Sequence, residues 1–176
     1  MKLAITDIET TGLDHKLHEI IEIGCVICDS DTFEIIETFD FKVKPLFPEL
    51  GHPKAYEVNG YNDFDWRDAI SPSEAIKIYA EKTKDCVFVS QCILFDYPFI
   101  DKLSSDIGVS LQLNRYKFDI PSISWFKFKK NISKFSLKSM CEFLGIEPEP
   151  EIHRGINGAM KAYEVLRKMS EIEHNK

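Results

Sequence analysis

Leu3-Ala4-Ile5-Thr6-Asp7-Ile8-Glu9-Thr10-Thr11-Gly12-Leu13 opens the chain as a strand that runs into acid. Side chains two apart on a strand point the same way, with alpha carbons about 6.6 Å apart. Leu3, Ile5, Asp7 and Glu9 therefore share one face, the acids at its C-terminal end. Two carboxylates emerging together beside a core cannot both stay ionised without a cation between them. A hard divalent ion such as Mg2+ or Mn2+ is the natural partner for oxygen ligands. A strand that ends in solvent with hydrated acids carries the same pattern, and these two residues alone leave both readings open.

Outward from this strand, Ile20 to Cys28 is a nearly continuous apolar run, as in a central strand buried on both sides. Phe33, Ile35, Phe39, Phe41 and Val43 alternate with polar residues, as in a third strand exposed on one side. The Asp29-Ser30-Asp31 turn makes these two an antiparallel pair. Irregular chain is expected from Pro45 to Pro53, then a short element from Tyr56 to Tyr61. Ser71-Pro72-Ser73-Glu74 starts a helix, with Ser71 as cap and Glu74 closing a capping box, that ends near Lys84. A fourth strand follows from Cys86 to Ser90, then a helix from Asp96 to Ile107 stopped by Gly108. Tyr116 to Asp119 reads as a short fifth strand, and Pro121 to Phe128, Leu137 to Leu144 and Gly155 to about Ser170 as helices. Strands first, then strands alternating with helices, give an α/β domain with a mixed five-stranded sheet flanked by helices. No repeat or linker divides the chain, so residues 1–176 are expected to form a single domain.

The composition, 44% hydrophobic and 29% charged, suits a soluble globular protein, and the 13 Phe point to an aromatic-rich core. A net charge of −7 argues against a protein that coats nucleic acid through basic residues. It leaves room for an enzyme that meets phosphate through bound cations. The N-terminus is too poor in apolar residues for a signal peptide, and no run reaches the roughly 18 needed to span a membrane. Five cysteines without framework spacing point to free thiols and a cytoplasmic setting. Cys25 and Cys28 fall on opposite faces of their strand and read as core.

Asp96 is in phase with Phe99, Ile100 and Leu103, so it faces the core side of its helix, although an acid at a helix start is also favoured by the macrodipole. His153 precedes the last helix, whose inward face runs Ile156, Ala159, Met160, Tyr163 and Leu166. Alone, such a histidine is usually structural or solvated.

Together these residues resemble a family. Asp7-Ile8-Glu9-Thr10-Thr11-Gly12-Leu13 is similar to the first motif of the DEDDh 3′→5′ exonucleases, the group that includes the epsilon proofreading subunit of DNA polymerase III and RNase T. The likeness continues through Ile20-Ile21-Glu22-Ile23-Gly24, Val58-Asn59-Gly60, Phe95-Asp96-Tyr97-Pro98-Phe99-Ile100, Phe118-Asp119, the helix from Leu137, and His153-Arg154. It covers essentially the whole chain in order. The resemblance implies a single exonuclease-like domain with an RNase H-like fold. It also implies hydrolysis of single-stranded DNA or RNA from 3′ ends with two Mg2+ or Mn2+ ions, and leaves room for a polymerase or replication partner. Carried over, Asp7, Glu9 and Asp96 would be metal ligands and catalytic, and His153 the general base. Thr10, Thr11, Leu13 and Phe95 would bind the terminal nucleotide.

The family's last motif has an aspartate five residues after the histidine, where this chain has Gly158. Its loss is expected to weaken one ion site, which makes a domain that binds ends without cutting the alternative. Asn157 lies about 100° round the helix. Glu149 and Glu151, before the histidine, and Glu164, off the face, have no obvious claim to the vacant place. Gln91-Cys92 stands where many members have His-Asn, a change expected to affect local hydrogen bonding only. Trp125, Phe126, Phe128 and Phe135 alternate with Lys127, Lys129, Lys130, Lys134 and Lys138, either a strip for phosphates and stacked bases or a lysine-rich loop over core aromatics.

Overall fold

The computed structural model describes residues 1–172. Strand β1 (Lys2–Thr10) lies at the centre of a five-stranded sheet. On one side it pairs antiparallel with β2 (Ile20–Asp29), which pairs antiparallel with β3 (Ile35–Lys42). On the other it pairs parallel with β4 (Val87–Ser90), and β4 pairs parallel with β5 (Lys117–Asp119). The order is β3-β2-β1-β4-β5, the mixed sheet expected from the element sequence. β2 is buried along nearly its whole length, whereas β3 is an edge strand with Ile35 and Ile36 exposed. Phe33 falls outside β3, in the turn, with φ 56°, where the backbone reverses and the ladder has not yet begun.

Among the described residues, six α-helices pack around the sheet. Between Pro45 and Pro53 the chain is irregular apart from a 3-10 turn at Pro48–Leu50, as expected. The short element expected from Tyr56 to Tyr61 is the helix α1 (Pro53–Asn59), started by His52, whose ring accepts the Lys54 amide, and ended by Gly60 at φ 65°. α2 (Pro72–Lys82) is capped by Ser71, whose hydroxyl accepts the Glu74 amide. α3 (Ile93–Ile107) begins three residues before the expected Asp96. Pro98 sits inside this helix and forgoes one intrahelical bond. α4 (Ile120–Phe128) is capped by Asp119, α5 (Leu137–Leu144) by Ser136, and α6 (Gly155–Glu171) runs to the end of the described chain.

α4, α5 and α6 bury Ile120, Met140, Leu144, Ala159, Val165 and others against Leu3, Ile5, Val26 and Val89 on one face. α2 and α3 bury Ile76, Tyr79, Phe99 and Ile100 against Ile8, Ile23 and Phe88 on the other. The two layers leave the C-terminal ends of β1 and β4 open between α3 and α6, the crevice where α/β sheets hold ligands. Cys25 and Cys28 are both buried and reduced, in separate parts of the core. Among the described residues no helix is long and apolar enough to cross a membrane.

Candidate active site

β1 carries Asp7 and Glu9 to the open end of the sheet on the face that α6 covers. In the register with β2, Asp7 stands opposite Gly24 and Glu9 opposite Glu22. Gly24 has no side chain, and the start of α6 uses that space: a Cβ there would lie 2.1 Å from the Gly155 carbonyl carbon. Gly155 sits as closely on its side, where a Cβ would be 2.7 Å from the Gly24 nitrogen. The two glycines let a helix end rest on strand backbone, a common reason for glycine inside a buried strand. One turn further along α6, Gly158 abuts the Asp7 carboxylate, so that a Cβ would fall 2.3 Å from Asp7 Oδ2.

The segment before α6 is pinned from the opposite direction. The His153 amide donates to the Val58 carbonyl at 3.1 Å, and the Arg154 guanidinium donates to the Asn59 carbonyl. The Asn59 side chain in turn donates to the Thr10 carbonyl at the end of β1, at 2.9 Å. Val58-Asn59-Gly60 thus ties the acidic strand to the histidine segment, and the His153 side chain is left exposed at the cavity. Asp96 arrives from the first turn of α3 and is only 3% exposed.

Asp7, Glu9, Asp96 and His153 line one cavity of about 600 Å³, together with Thr10, Leu13, Phe95, Gln91 and Glu149. Leu13 is 84% exposed at its rim, and Phe95 packs its ring 5.1 Å from Phe99. The threonines are buried. Thr10 Oγ1 donates to the Gly12 carbonyl at 2.7 Å, and Thr11 Oγ1 accepts the Glu19 amide at 2.9 Å. Thr10 lines the cavity, whereas Thr11 is not on its wall and holds the loop that follows β1. Asp119 caps α4 and accepts weakly from the Ile93 amide at 3.4 Å, which makes it a support for the start of α3. Gln91 reaches the Phe135 carbonyl at 3.0 Å, so it joins the cavity wall to the loop before α5.

Burial dominates the electrostatics. Glu9 is 8% exposed. Removal from water, then the charges of Glu22 and Glu149, raise its carboxyl to about 8, with Arg154 opposing. Burial raises Asp96 to about 7, while Ser90, whose hydroxyl stands near but outside hydrogen-bond geometry, and neighbouring backbone groups pull it down. Asp7 is pushed well up by burial and then by Asp96 and Glu9. Such groups favour protons or a cation, and oxygen ligands of this kind suit hard divalent ions. Glu22 reinforces the pattern. It is buried, raised to about 7, and one of its oxygens has no hydrogen-bond partner, although Arg154 lies 3.9 Å away. Among the described residues no three His, Cys, Asp or Glu side chains are yet drawn tightly enough to hold an ion. The carboxylates share a cavity, and side-chain rotation would have to gather them.

Three features are not evident from sequence reasoning. Glu22 sits inside an apolar run, where a lone acid in a fully buried strand is the available signal. The Gly24–Gly155 contact joins positions far apart, though an isolated glycine in a central strand hints at close approach. Glu149 has no obvious claim to the site by sequence, yet the loop between α5 and α6 folds it onto the cavity wall. Of the aromatic strip, Trp125 and Phe126 are 52% and 69% exposed, with Lys129 Nζ 4.6 Å from the Trp125 ring centre. Phe128 instead packs in the core on the inward side of α4, and Phe135, in the loop before α5, packs against it.

Comparison with known proteins gives this geometry a family. The chain is 26% identical over 170 residues to the DNA polymerase III PolC-type of Caldanaerobacter subterraneus subsp. tengcongensis, a match that covers 97% of this chain and 12% of that protein. It is 28% identical over 148 residues to the 3′-5′ exonuclease DinG of Staphylococcus aureus, covering 81% of this chain and 15% of that one. The chain thus spans a small part of the relatives it matches. In fold it is similar to E. coli exonuclease I in complex with a dT13 oligonucleotide, with a TM-score of 0.81 at 15% identity, over 97% of this chain and 41% of that one. This likeness extends the RNase H-like expectation to the observed sheet order and helix layers. A family model described as Exonuclease matches residues 4–166, nearly the full length, and the chain belongs to the exonuclease family.

Proposed function

We propose that this chain is a metal-dependent 3′→5′ exonuclease that releases nucleoside monophosphates from single-stranded nucleic-acid ends. The observation that carries this reading is the convergence of buried Asp7, Glu9 and Asp96 with exposed His153 on one cavity at the end of β1. Asp7, Glu9 and Asp96 would hold the ions, Mg2+ or Mn2+, which in such sites activate water and stabilise the leaving oxygen. An imidazole nitrogen of His153, free to turn at the cavity mouth, would take the proton from the attacking water. The water oxygen then bonds to phosphorus as the bond to the 3′ oxygen breaks. Leu13 and Phe95 offer apolar surface to the terminal sugar and base, and Thr10 and Thr11 fix the loop that presents Leu13. The relation to a PolC-type polymerase makes a polymerase the partner class to test.

Gly158 supports a second reading, a domain that binds ends without cutting, since it supplies no carboxylate where the resemblance places one. One experiment separates the two. A single-stranded oligonucleotide labelled at its 5′ end should shorten stepwise with Mg2+ or Mn2+ and stay intact with Asp7→Asn. An intact oligonucleotide that remains bound at every metal concentration would support the second reading.

A further inference from the structure

We propose that Glu149 supplies the carboxylate missing at position 158, so that the site is completed from the loop before α6 rather than from α6 itself. The proposal rests on the metal-nuclease reading above. Position 158 is not open space while Asp7 stands as it does. The Asp7 carboxylate lies against the Gly158 backbone, at the distance where a Cβ would need it to move. An acid reaching the cavity without displacing Asp7 must therefore come from another element.

The loop between α5 and α6 provides one. Of its three glutamates, Glu147 and Glu151 are exposed and Glu149 is turned inward, onto the cavity lined by Asp7, Glu9, Asp96 and His153. Its placement is fixed by chain chemistry. Pro148 and Pro150 flank it, and a residue before proline is confined to extended backbone. The Arg154 amide approaches Glu149 Oε1 at 3.4 Å, which ties the acid to the residue after His153. That contact uses one lone pair of a group with about four acceptor sites, so the carboxylate keeps capacity for an ion. Glu22, the other buried acid nearby, faces Arg154 and does not line the cavity. Charge also favours a fourth acid, because two divalent ions bring four positive charges and Asp7, Glu9 and Asp96 together offer three negative ones.

Glu149→Gln separates a ligand from a mere strut, since the amide oxygen can still accept from Arg154 while the charge is gone. Mn2+ binding is measured by titration calorimetry and by the electron paramagnetic resonance signal of free Mn2+, for the unaltered protein, Glu149→Gln and Asp7→Asn, with melting curves as the check on folding. The unaltered protein should take up two ions, Glu149→Gln should hold the second at least tenfold more weakly, and Asp7→Asn should lose both. If Glu149→Gln binds Mn2+ as the unaltered protein does while Asp7→Asn loses it, the assignment of Glu149 is wrong and the nuclease reading stands. If Asp7→Asn also binds as the unaltered protein does, the metal reading falls and takes this proposal with it.

Discussion

Gly24 and Gly155 meet backbone to backbone, so that the first turn of α6 rests directly on β2 opposite Asp7. No side chain separates the two elements, and the position of His153 and Gly158 relative to Asp7 depends on that closeness. A methyl group at Gly24 would have to occupy space 2.1 Å from the Gly155 carbonyl carbon and 2.2 Å from the Ile156 nitrogen, both backbone atoms that cannot swing aside. Gly24→Ala should therefore destabilise the fold by about 1–3 kcal/mol or more, the range for overpacking, and lower cleavage further than the stability loss explains. Urea unfolding and activity measured well below the melting temperature test this. Unchanged stability would mean that α6 shifts freely and that the contact does not set the site.

His153 lies outside the core, so its loss should spare the fold. His153→Ala is expected to lower kcat roughly 100- to 10,000-fold, the usual worth of a general base, with Mn2+ affinity and melting temperature unchanged. A variant that also loses metal would place the histidine among the ligands instead.

Much of this arrangement is legible in the amino-acid sequence, and the reasons differ from residue to residue. Asp7 and Glu9 are legible because strand periodicity puts them on one face, and Asp96 because helical phase aligns it with Phe99 and Ile100. The cap at Ser71 and the stop at Gly108 are local chemistry and stand where the sequence places them. What the sequence hides is long-range. The Asn59 bridge to Thr10 and Arg154 links three segments through backbone carbonyls that any residue carries. Glu149 is hard to place, since a loop with two prolines has a constrained backbone but no periodicity to say which way it folds. α3 starts three residues before the expected Asp96 and without a side-chain cap, so no local signal marks its first turn.

The buried acids make the metal-free protein sensitive to pH. Burial raises Glu9 to about 8, Asp96 and Glu22 to about 7, and Asp7 in the same direction. These groups hold protons in the folded state that the unfolded chain releases near its ordinary carboxylate range. Stability from this source is thus fully present at low pH and falls as pH rises above about 4.5; the shares of Asp96 and Glu22 are lost by about pH 7 and that of Glu9 by about pH 8. A divalent ion replaces those protons, so its stabilising effect should grow over the same interval. Melting curves with and without Mn2+ should show a larger gain at about pH 8 than at about pH 6. An equal gain at both would mean that the ion does not compete with these protons.

Trp125 and Phe126 stand out from α4 beside Lys129, with no packing role to explain their exposure. If bases stack there, Trp125→Ala should weaken binding of a long single strand by about 1–3 kcal/mol and leave cleavage of a dinucleotide unchanged. Fluorescence anisotropy of a labelled oligonucleotide reads the first and product release the second. Equal affinity for the long strand in both proteins would assign the patch to something other than nucleic acid.

Gly158→Asp brings a second carboxylate against Asp7, and its Cβ alone would require Asp7 Oδ2 to move from 2.3 Å. Asp7 Oδ2 is the far end of a rotatable side chain, so the contact can be relieved by rotation at little strain. A second acid then stays beside Asp7, and at high pH, where Asp7 gives up its proton, the like charges should make the metal-free variant melt lower than the unaltered protein. Added Mn2+ should reverse the order, because an ion between the two carboxylates turns their repulsion into shared ligation. If Glu149 already completes the site, the gain in cleavage rate should stay below about tenfold, equivalent to about 1.4 kcal/mol in the barrier. A gain of several hundredfold would instead show that the site is starved of a ligand without an acid at 158. Melting temperatures with and without Mn2+, set beside initial rates on one oligonucleotide, distinguish these outcomes.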